Sequence, residues 1–403
     1  MKTQLLKSVS SYLIFSSVLF VSACNEEQIL QESAVEKQEL SDDANAKLII
    51  GQPTQFNAFT FAEEIERYME DQNVGFGYSI MSNGEEFFVG NGGEGFARKA
   101  FEAGGEKQHG ALVQQESLQA TQYVTALAVL KILKRYNLSL QTKVWPYLPK
   151  GWEPSPGFKS LNFEHLLSHQ TGLVNGGTEQ SIMASVKGEV NTSLRKVNDI
   201  NYILLGIITP YVDAVEKSKK GNSTLLKVLN QAPLNFNIYA AEFRKIVYEN
   251  VFLPAGIKQA SLIDWQAWGD GGYMQPHLST QGYLEIKGTA AGIDKAVVSA
   301  NAGATGLYMS ASQFAHLQSA VSQLKVVSAA DLHLMKNKLF GFDGALNGTI
   351  GKYYYKTGLG YRCNTIIMDF GKAQVALFAN SPISVTVNHP VEIAKRFEKS
   401  LEK

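Results

Sequence analysis

The sequence predicts an α+β fold in which both ends of the chain contribute strands to one antiparallel sheet and a helical domain is inserted between them. Two observations lead to this prediction. Hairpin patterns occur at residues 74–89 and 365–380, near opposite ends of the chain, and the segment between them is dominated by helical patterns. With 403 residues, 45% of them apolar, the chain can also bury a large core. Strands at both ends with helices between them are typical of an α+β architecture.

Composition narrows the classes of function. The chain has 37 basic and 37 acidic residues, so its net charge provides no long-range attraction to nucleic acid, and no such partner is predicted. Its two cysteines, Cys24 and Cys363, are too few for a disulfide framework or a cysteine-rich zinc site. No cofactor is predicted.

Residues 1–23 are expected to be a lipoprotein signal peptide. Lys2 and Lys7 precede an apolar stretch at 12–21 that is too short for a permanent membrane-spanning helix. The small residues directly before Cys24 resemble a bacterial lipobox, which implies cleavage before Cys24 and acylation of its thiol and new amino group. The acyl chains, palmitate among them, would bind the lipid bilayer. The alternative is an ordinary signal peptide that ends near a cysteine.

Residues 24–57 are expected to form an acidic, flexible tether. Between residues 26 and 43 the acidic side chains far outnumber the single lysine, and aromatic residues are absent, so this stretch should stay solvated. Asn25 follows the predicted acylation site, and this favours delivery to the outer membrane of a bacterial cell envelope, facing the periplasm. Residues 58–403 then form the folded domain.

The elements of this domain are predicted in chain order. Apolar residues at helical spacing indicate an amphipathic helix at 59–71. A hairpin follows, because Asn83-Gly84 supplies the positive φ that a tight reversal between strands 74–81 and 85–89 requires. A sheet subdomain is expected at 58–112 and 335–403, with a helical subdomain at 113–334.

The helical subdomain contains the strongest helix pattern of the chain. Residues 122–133 are apolar on almost every side, which indicates a helix buried inside the domain. Further segments are predicted to be regular elements: helices at 161–173, 200–208, 239–253 and 310–321, a hairpin at 365–370 and 374–380, and a closing helix at 390–401.

Six short motifs occur in a fixed order along the domain. They are VGFGYSI at 74–80, TALAVL at 125–130, HLLSHQTGL at 165–173, NYILLG at 201–206, GATGLY at 303–308 and KTG at 356–358. Together they resemble the serine beta-lactamase family in the broad sense, which includes class C beta-lactamases, D-alanyl-D-alanine carboxypeptidases and other penicillin-binding-protein-like serine hydrolases. The resemblance extends from about residue 59 to about residue 397.

The resemblance implies a nucleophilic serine and a lysine one helical turn later, at the start of the buried helix. The family's pattern ends in Thr-Ala, which corresponds to Thr125-Ala126, so counting back places Gln119 at the serine and Gln122 at the lysine. An amide nitrogen is not nucleophilic at neutral pH, and an amide does not accept a proton from a hydroxyl group.

The second family element, Tyr-x-Asn, also differs. Its positions are occupied by Val197-Asn198-Asp199, so Val197 stands where the family has a proton-carrying tyrosine and Asp199 where it has an asparagine. The resemblance therefore predicts a degenerate active site with no residue in a confident catalytic role.

The third element is present as Lys356-Thr357-Gly358. The resemblance implies that Lys356 and Thr357 face a carboxylate or carbonyl group of the ligand and that Gly358 leaves room for the ligand backbone. One wall of a binding cleft is therefore predicted to remain.

The predicted function is that of a membrane-tethered, catalytically inactive relative of serine hydrolases that binds a peptidoglycan stem peptide or another envelope protein. The alternative is an active carboxypeptidase-like or esterase-like hydrolase with a relocated nucleophile, such as Ser117 or Thr121. His165 and His169 have a spacing that zinc enzymes use, but a third ligand is not evident. A hydrogen-bonded helix end is therefore predicted there instead of a metal site.

Overall fold

The computed structural model describes residues 55–71, 73–174, 178–231, 235–263, 265, 280–286, 290–293, 299–360, 362–383 and 388–402. The predicted signal peptide, Cys24 and the predicted tether up to residue 54 lie outside the described residues. Residues 54–403 belong to one compact unit.

The described strands are short except in one central sheet. They are β1 (Gln55–Phe56), β2 (Phe76–Ser82), β3 (Glu85–Gly92), β4 (Phe96–Arg98), β5 (Lys107–Gln108), β6 (Gln115–Glu116), β7 (Tyr308–Met309), β8 (Gly344–Gly348), β9 (Gly351–Leu359), β10 (Asn364–Asp369), β11 (Ala373–Ala379) and β12 (Leu401–Glu402).

The α-helices lie mostly between β6 and β8. They are α1 (Ala58–Met69), α2 (Thr121–Arg135), α3 (Pro156–Lys159), α4 (Phe163–Leu167), α5 (Glu179–Ser185), α6 (Ile200–Lys219), α7 (Thr224–Leu229), α8 (Phe236–Val247), α9 (Leu253–Ala255), α10 (Ala311–Ser322), α11 (Ala329–Lys338) and α12 (His389–Lys399).

The central sheet joins the two ends of the folded unit. Its strand order is β3-β2-β11-β10-β9-β8, and all neighbouring strands are antiparallel. The β2–β11 pairing, with Gly77 opposite Phe378, connects the N-terminal hairpin to the C-terminal strands. The predicted fold class, an antiparallel sheet built from both termini with helices inserted between them, is confirmed.

Helices cover both faces of this sheet. On one face α1 and α12 bury an aromatic cluster that includes Phe61, Phe370 and Phe397. On the other face α10 packs on β2 and β11, where the rings of Phe314 and Phe378 meet edge to face at 6.0 Å. Such two-sided cover buries both faces of the central strands, so β2, β10 and β11 are buried along their whole length.

Helix α2 forms the centre of the helical part. Its residues from 121 to 130 are all buried, which agrees with a pattern that is apolar on almost every side. It packs against α6, which is also buried over most of its length. The start of α2 therefore occupies a fixed position in the core.

Two predicted helices differ from the prediction. In the segment predicted as a helix at 239–253, α8 ends at Val247 and a π-helix continues over Tyr248–Phe252. The pattern at 161–173 predicted a continuous helix, but α4 ends at Leu167. His169 and Gly172 have positive φ angles of 57° and 72°, and this left-handed backbone cannot continue a right-handed helix. The loop that follows contacts the first turn of α6, where the hydroxyl group of Thr171 donates to Oδ1 of Asn201 at 2.6 Å.

Among the described residues, no helix combines the length and the apolar character needed to cross a membrane.

Candidate functional site

A cavity of about 460 Å³ lies between the start of α2, the start of α6 and strand β9. Its volume is within the range of small-molecule and peptide sites. All three motif regions of the predicted site contribute to its lining, which consists of Gln119, Val197, Asn198, Asp199, Asp343, Lys356, Thr357 and Leu359. The predicted positions are therefore brought together in space.

Two glutamine amides converge on one carboxylate at this cavity. Gln119 lies in a 3₁₀ turn (Leu118–Ala120) just before α2, and Gln122 lies in the first turn of α2. The Nε2 atom of Gln122 donates to Oδ1 of Asp199 at 2.8 Å, and Nε2 of Gln119 donates to Oδ2 at 3.3 Å. The two positions predicted for a nucleophile and its amine thus hold neutral hydrogen-bond donors.

The Gln122 side chain is completely buried, so its position is set by the surrounding core. Its Oε1 atom has no hydrogen-bond partner among the described residues. Asp199 itself lies at the N-terminal end of α6 but does not cap that helix with its side chain. Its carboxylate is directed instead towards the two glutamines.

Lys356 and Thr357 are occupied by a carboxylate of the same chain. Lys356 Nζ lies 2.6 Å from Asp343 Oδ1. The backbone N–H and the hydroxyl group of Thr357 both donate to Asp343 Oδ2 at 2.8 Å. Burial raises the pKa of Asp343, but Lys356 and Thr357 outweigh this effect, so the pKa lies below its ordinary value. Asp343 is therefore ionised at neutral pH and neutralises the charge of Lys356.

The sequence analysis missed Asp343. It lies 13 residues before Lys356, and the two residues meet because β8 and β9 form a hairpin with Gly344 opposite Tyr355. The turn of this hairpin is Thr349-Ile350, because Gly348 pairs with Gly351, and Asn347-Gly348 lies within the paired strand. A turn placed at Asn347-Gly348 from the sequence would therefore have given the wrong register and would not have placed residue 343 beside residue 356.

Arg195, also missed, fixes the backbone next to this ion pair. Its guanidinium group donates to the carbonyl oxygens of Phe342 at 2.8 Å and Asp343 at 3.2 Å. These hydrogen bonds hold the residues that precede β8, so they help to position the Asp343 carboxylate.

Gly358 allows a close contact between β9 and the turn before α2. A Cβ atom at Gly358 would lie 2.3 Å from the carbonyl oxygen of Ser117 and 2.8 Å from Cβ of Leu118. Only glycine fits such a backbone approach. The resemblance implied that this space serves a ligand, whereas in the structure the turn itself fills it.

The two candidate relocated nucleophiles lie away from the cavity lining. Ser117 and Thr121 are completely buried. Ser117 Oγ donates to the carbonyl oxygen of Leu307 at 3.0 Å, and Thr121 Oγ1 donates to that of Leu118 at 2.7 Å. Both hydroxyl protons are thus engaged by backbone carbonyl groups.

Both histidines have structural hydrogen bonds. Nδ1 of His165 accepts from the N–H of Asn162 at 3.3 Å in a capping box at the start of α4, which is the predicted hydrogen-bonded helix end. Nδ1 of His169 accepts from the N–H of Asn198, also at 3.3 Å. Burial, and secondarily the charges of Lys356 and Arg195, lower the pKa of His169 to about 3, so its ring is neutral.

Within the described part of the chain, no group of three His, Cys, Asp or Glu side chains is placed to hold a metal ion.

No family model and no curated protein matches the chain. Solved structures do match. FmtA from Staphylococcus aureus has a TM-score of 0.61 and 17% identity, with 90% of this chain and 93% of that chain covered. A class C beta-lactamase from Rhodobacter sphaeroides has a TM-score of 0.59 and 14% identity, with coverage of 85% and 98%.

A beta-lactamase/D-alanine carboxypeptidase from Pseudomonas syringae has a TM-score of 0.57 and 15% identity, with 86% of this chain and 99% of that chain covered. At these identities the similarity is one of fold. The six motifs and the antiparallel sheet agree with it, and so the chain has the fold shared by class C beta-lactamases and D-alanine carboxypeptidases.

Proposed function

We propose that this protein is a membrane-tethered, non-hydrolytic peptide-binding protein on the beta-lactamase-like serine hydrolase fold. The observation that carries the proposal is the contact of both Gln119 and Gln122 with Asp199 at the start of the buried helix. Acyl transfer needs a nucleophile with an adjacent base, and neither glutamine can supply either group.

The remaining parts of the site also argue against catalysis. Val197 has no proton to transfer, and Lys356 is held by Asp343, so its amine is not available as a base. Loss of the nucleophile alone lowers an acyl-transfer rate by roughly 10⁶-fold. The active hydrolase with Ser117 or Thr121 as nucleophile is disfavoured because both hydroxyl groups are buried outside the cavity lining.

The cavity favours a short peptide over a folded partner. Its volume of about 460 Å³ suits a few residues, and it is concave, whereas folded proteins bind through larger and flatter surfaces. We propose a peptidoglycan stem peptide as the ligand. An envelope protein as the binding partner is the alternative to this ligand.

Covalent labelling tests the absence of hydrolysis. We expect no added mass when the purified full-length protein is incubated with benzylpenicillin or a fluorophosphonate, because Thr357 carries the only hydroxyl group of the described lining and faces the carboxylate of Asp343, whose lowered pKa makes it too weak a base to activate that hydroxyl. Intact-protein mass spectrometry measures this, with a class C beta-lactamase as the positive control. An adduct that is lost in Ser117→Ala or Thr121→Ala would contradict the proposal and identify the nucleophile.

Substitution of Cys24 tests whether the protein is anchored to a membrane. Acylation of Cys24 would attach the protein to a bacterial membrane, in our proposal the outer membrane with the domain in the periplasm. We expect a palmitate analogue to label the protein expressed in a bacterium, and Cys24→Ser to abolish both this label and recovery in the membrane fraction. The matched Cys363→Ser variant should keep both, and labelling of the Cys24→Ser variant would refute the anchor.

A further inference from the structure

We propose that Asp199 binds a cationic ammonium or guanidinium group of the ligand in the cavity. This inference rests on the proposed function, because it assigns the ligand class of the same cavity. It starts from the charges at the cavity wall. Among the described lining residues three have charged side chains, namely Asp199, Asp343 and Lys356. Asp343 and Lys356 form an ion pair at 2.6 Å, so they neutralise each other.

Asp199 is the charge left over. Among the described residues its hydrogen bonds come from the neutral amides of Gln119 and Gln122, and no described cation pairs with it. Arg195, the other cation of this region, donates to the carbonyl oxygens of Phe342 and Asp343 and does not line the cavity. A carboxylate at a cavity wall without a countercharge attracts a ligand cation.

The two amides orient Asp199 without neutralising it. An ionised carboxylate offers about four acceptor positions, and the glutamines use two of them. Gln122 is completely buried and Gln119 is half-buried, so both hold the carboxylate in place before a ligand arrives. A charged donor added to the remaining positions would form charge-assisted hydrogen bonds, which are stronger than neutral ones.

The same arrangement disfavours anionic groups in the cavity. Lys356 is the only cation in the described lining, and its side chain is 2% exposed and already bound to Asp343. A ligand carboxylate would have to displace Asp343 from Lys356 and from Thr357 together. We therefore expect ligand cations, and not ligand carboxylates, to determine affinity.

Matched probes test the charge preference. Isothermal titration calorimetry of the full-length protein would compare the tripeptide Nα-acetyl-Ala-γ-Glu-Lys, whose one ammonium group is on the lysine side chain, with its Nε-acetylated form, which has none, and with 1,5-diaminopentane. We expect the tripeptide with the free lysine ammonium to bind at least tenfold more tightly than its Nε-acetylated form. Comparable binding of the diamine would indicate a small free amine as the source of the cation, and weaker diamine binding would indicate a peptide side chain. Either result supports the ammonium site.

Two variants connect the preference to Asp199. Asp199→Asn removes the charge while retaining one acceptor oxygen, and Gln122 has an unpartnered Oε1 that can face the new amide. Gln119→Lys instead places an ammonium group of the chain beside Asp199. We expect each variant to lose at least tenfold in affinity for the tripeptide. Glu153→Gln, at an 81% exposed side chain outside the lining, should bind like the wild type.

The outcomes separate this inference from the proposed function. Three results would overturn the ammonium site. The first is a ratio below tenfold between the affinities for the free and acetylated tripeptides, and the second is no binding by any ammonium probe. The third is a loss of less than tenfold in affinity for the tripeptide in either variant. None of these results would produce a covalent adduct. An adduct with benzylpenicillin or a fluorophosphonate would instead overturn the proposed function.

Discussion

Asp343→Asn is expected to lower the free energy of unfolding by about 3–5 kcal/mol, the range observed when one partner of a buried ion pair is removed. The physical reason is the burial of Lys356. Its side chain is 2% exposed, and after the substitution its ammonium group would have no countercharge among the described residues. Urea unfolding followed by tryptophan fluorescence measures the change.

A double variant provides the sharpest control. Lys356→Met combined with Asp343→Asn removes both charges, so we expect it to recover most of the lost stability, because an uncompensated buried charge is the main cost. Glu153→Gln breaks the exposed ion pair with Lys187 and should change stability by no more than about 1 kcal/mol. A loss below about 1 kcal/mol in Asp343→Asn would show that the buried pair does not stabilise the fold.

The stability that the Asp343–Lys356 pair contributes depends on pH. The pKa of Asp343 is lower in the folded protein than its ordinary value of 3.8, so the unfolded chain binds the proton more readily. Its contribution to stability is therefore complete above about pH 3.8 and is lost as the pH falls through the folded pKa. The difference between the wild type and Asp343→Asn should shrink over this acidic range.

Phe397→Ala is the second substitution with a large expected effect, about 3–5 kcal/mol of unfolding free energy. Phe397 is completely buried on α12. Its ring stacks on Phe370 with centroids 3.9 Å apart and contacts the rings of Phe61 and Tyr353 at 5.5 and 5.3 Å. Truncation would leave a cavity among these rings, which the surrounding sheet and helices cannot fully close.

The Phe397→Ala substitution also affects a strand of the site. The ring of Tyr353 contacts that of Phe397, and Tyr353 lies on β9, the strand that carries Lys356. Urea unfolding of the variant measures the stability change. Phe101→Ala is the matched control, since Phe101 is 63% exposed and its truncation should cost no more than about 0.5 kcal/mol. Equal losses of unfolding free energy in Phe397→Ala and Phe101→Ala would show that the aromatic cluster does not stabilise the fold.

The fold could be predicted from the sequence largely because its signals are local. The Asn83-Gly84 turn and the apolar pattern of α2 each depend on a few neighbouring residues, and both elements are found where they were expected. The helix predicted at 161–173 was wrong in length. Its apolar pattern continues past Leu167, but the positive φ of His169 depends on contacts with a distant loop.

The site was predictable only in part. Counting along the motifs identified Gln119, Gln122 and Asp199, yet their mutual contact depends on the packing of α2 against α6, because Gln119 and Asp199 are 80 residues apart in the chain. Asp343 was not found because no motif contains it, and a carboxylate in a loop has no pattern of its own. Long-range packing, as between α2 and α6, is what the local signals leave open.

Gly358 has a consequence for engineering the cavity. Where β9 meets the turn before α2, a Cβ atom at position 358 would lie 2.3 Å from the carbonyl oxygen of Ser117, so any other residue there would push the two walls apart. Gly358 should therefore be kept in every redesign that substitutes the neighbouring lining residues.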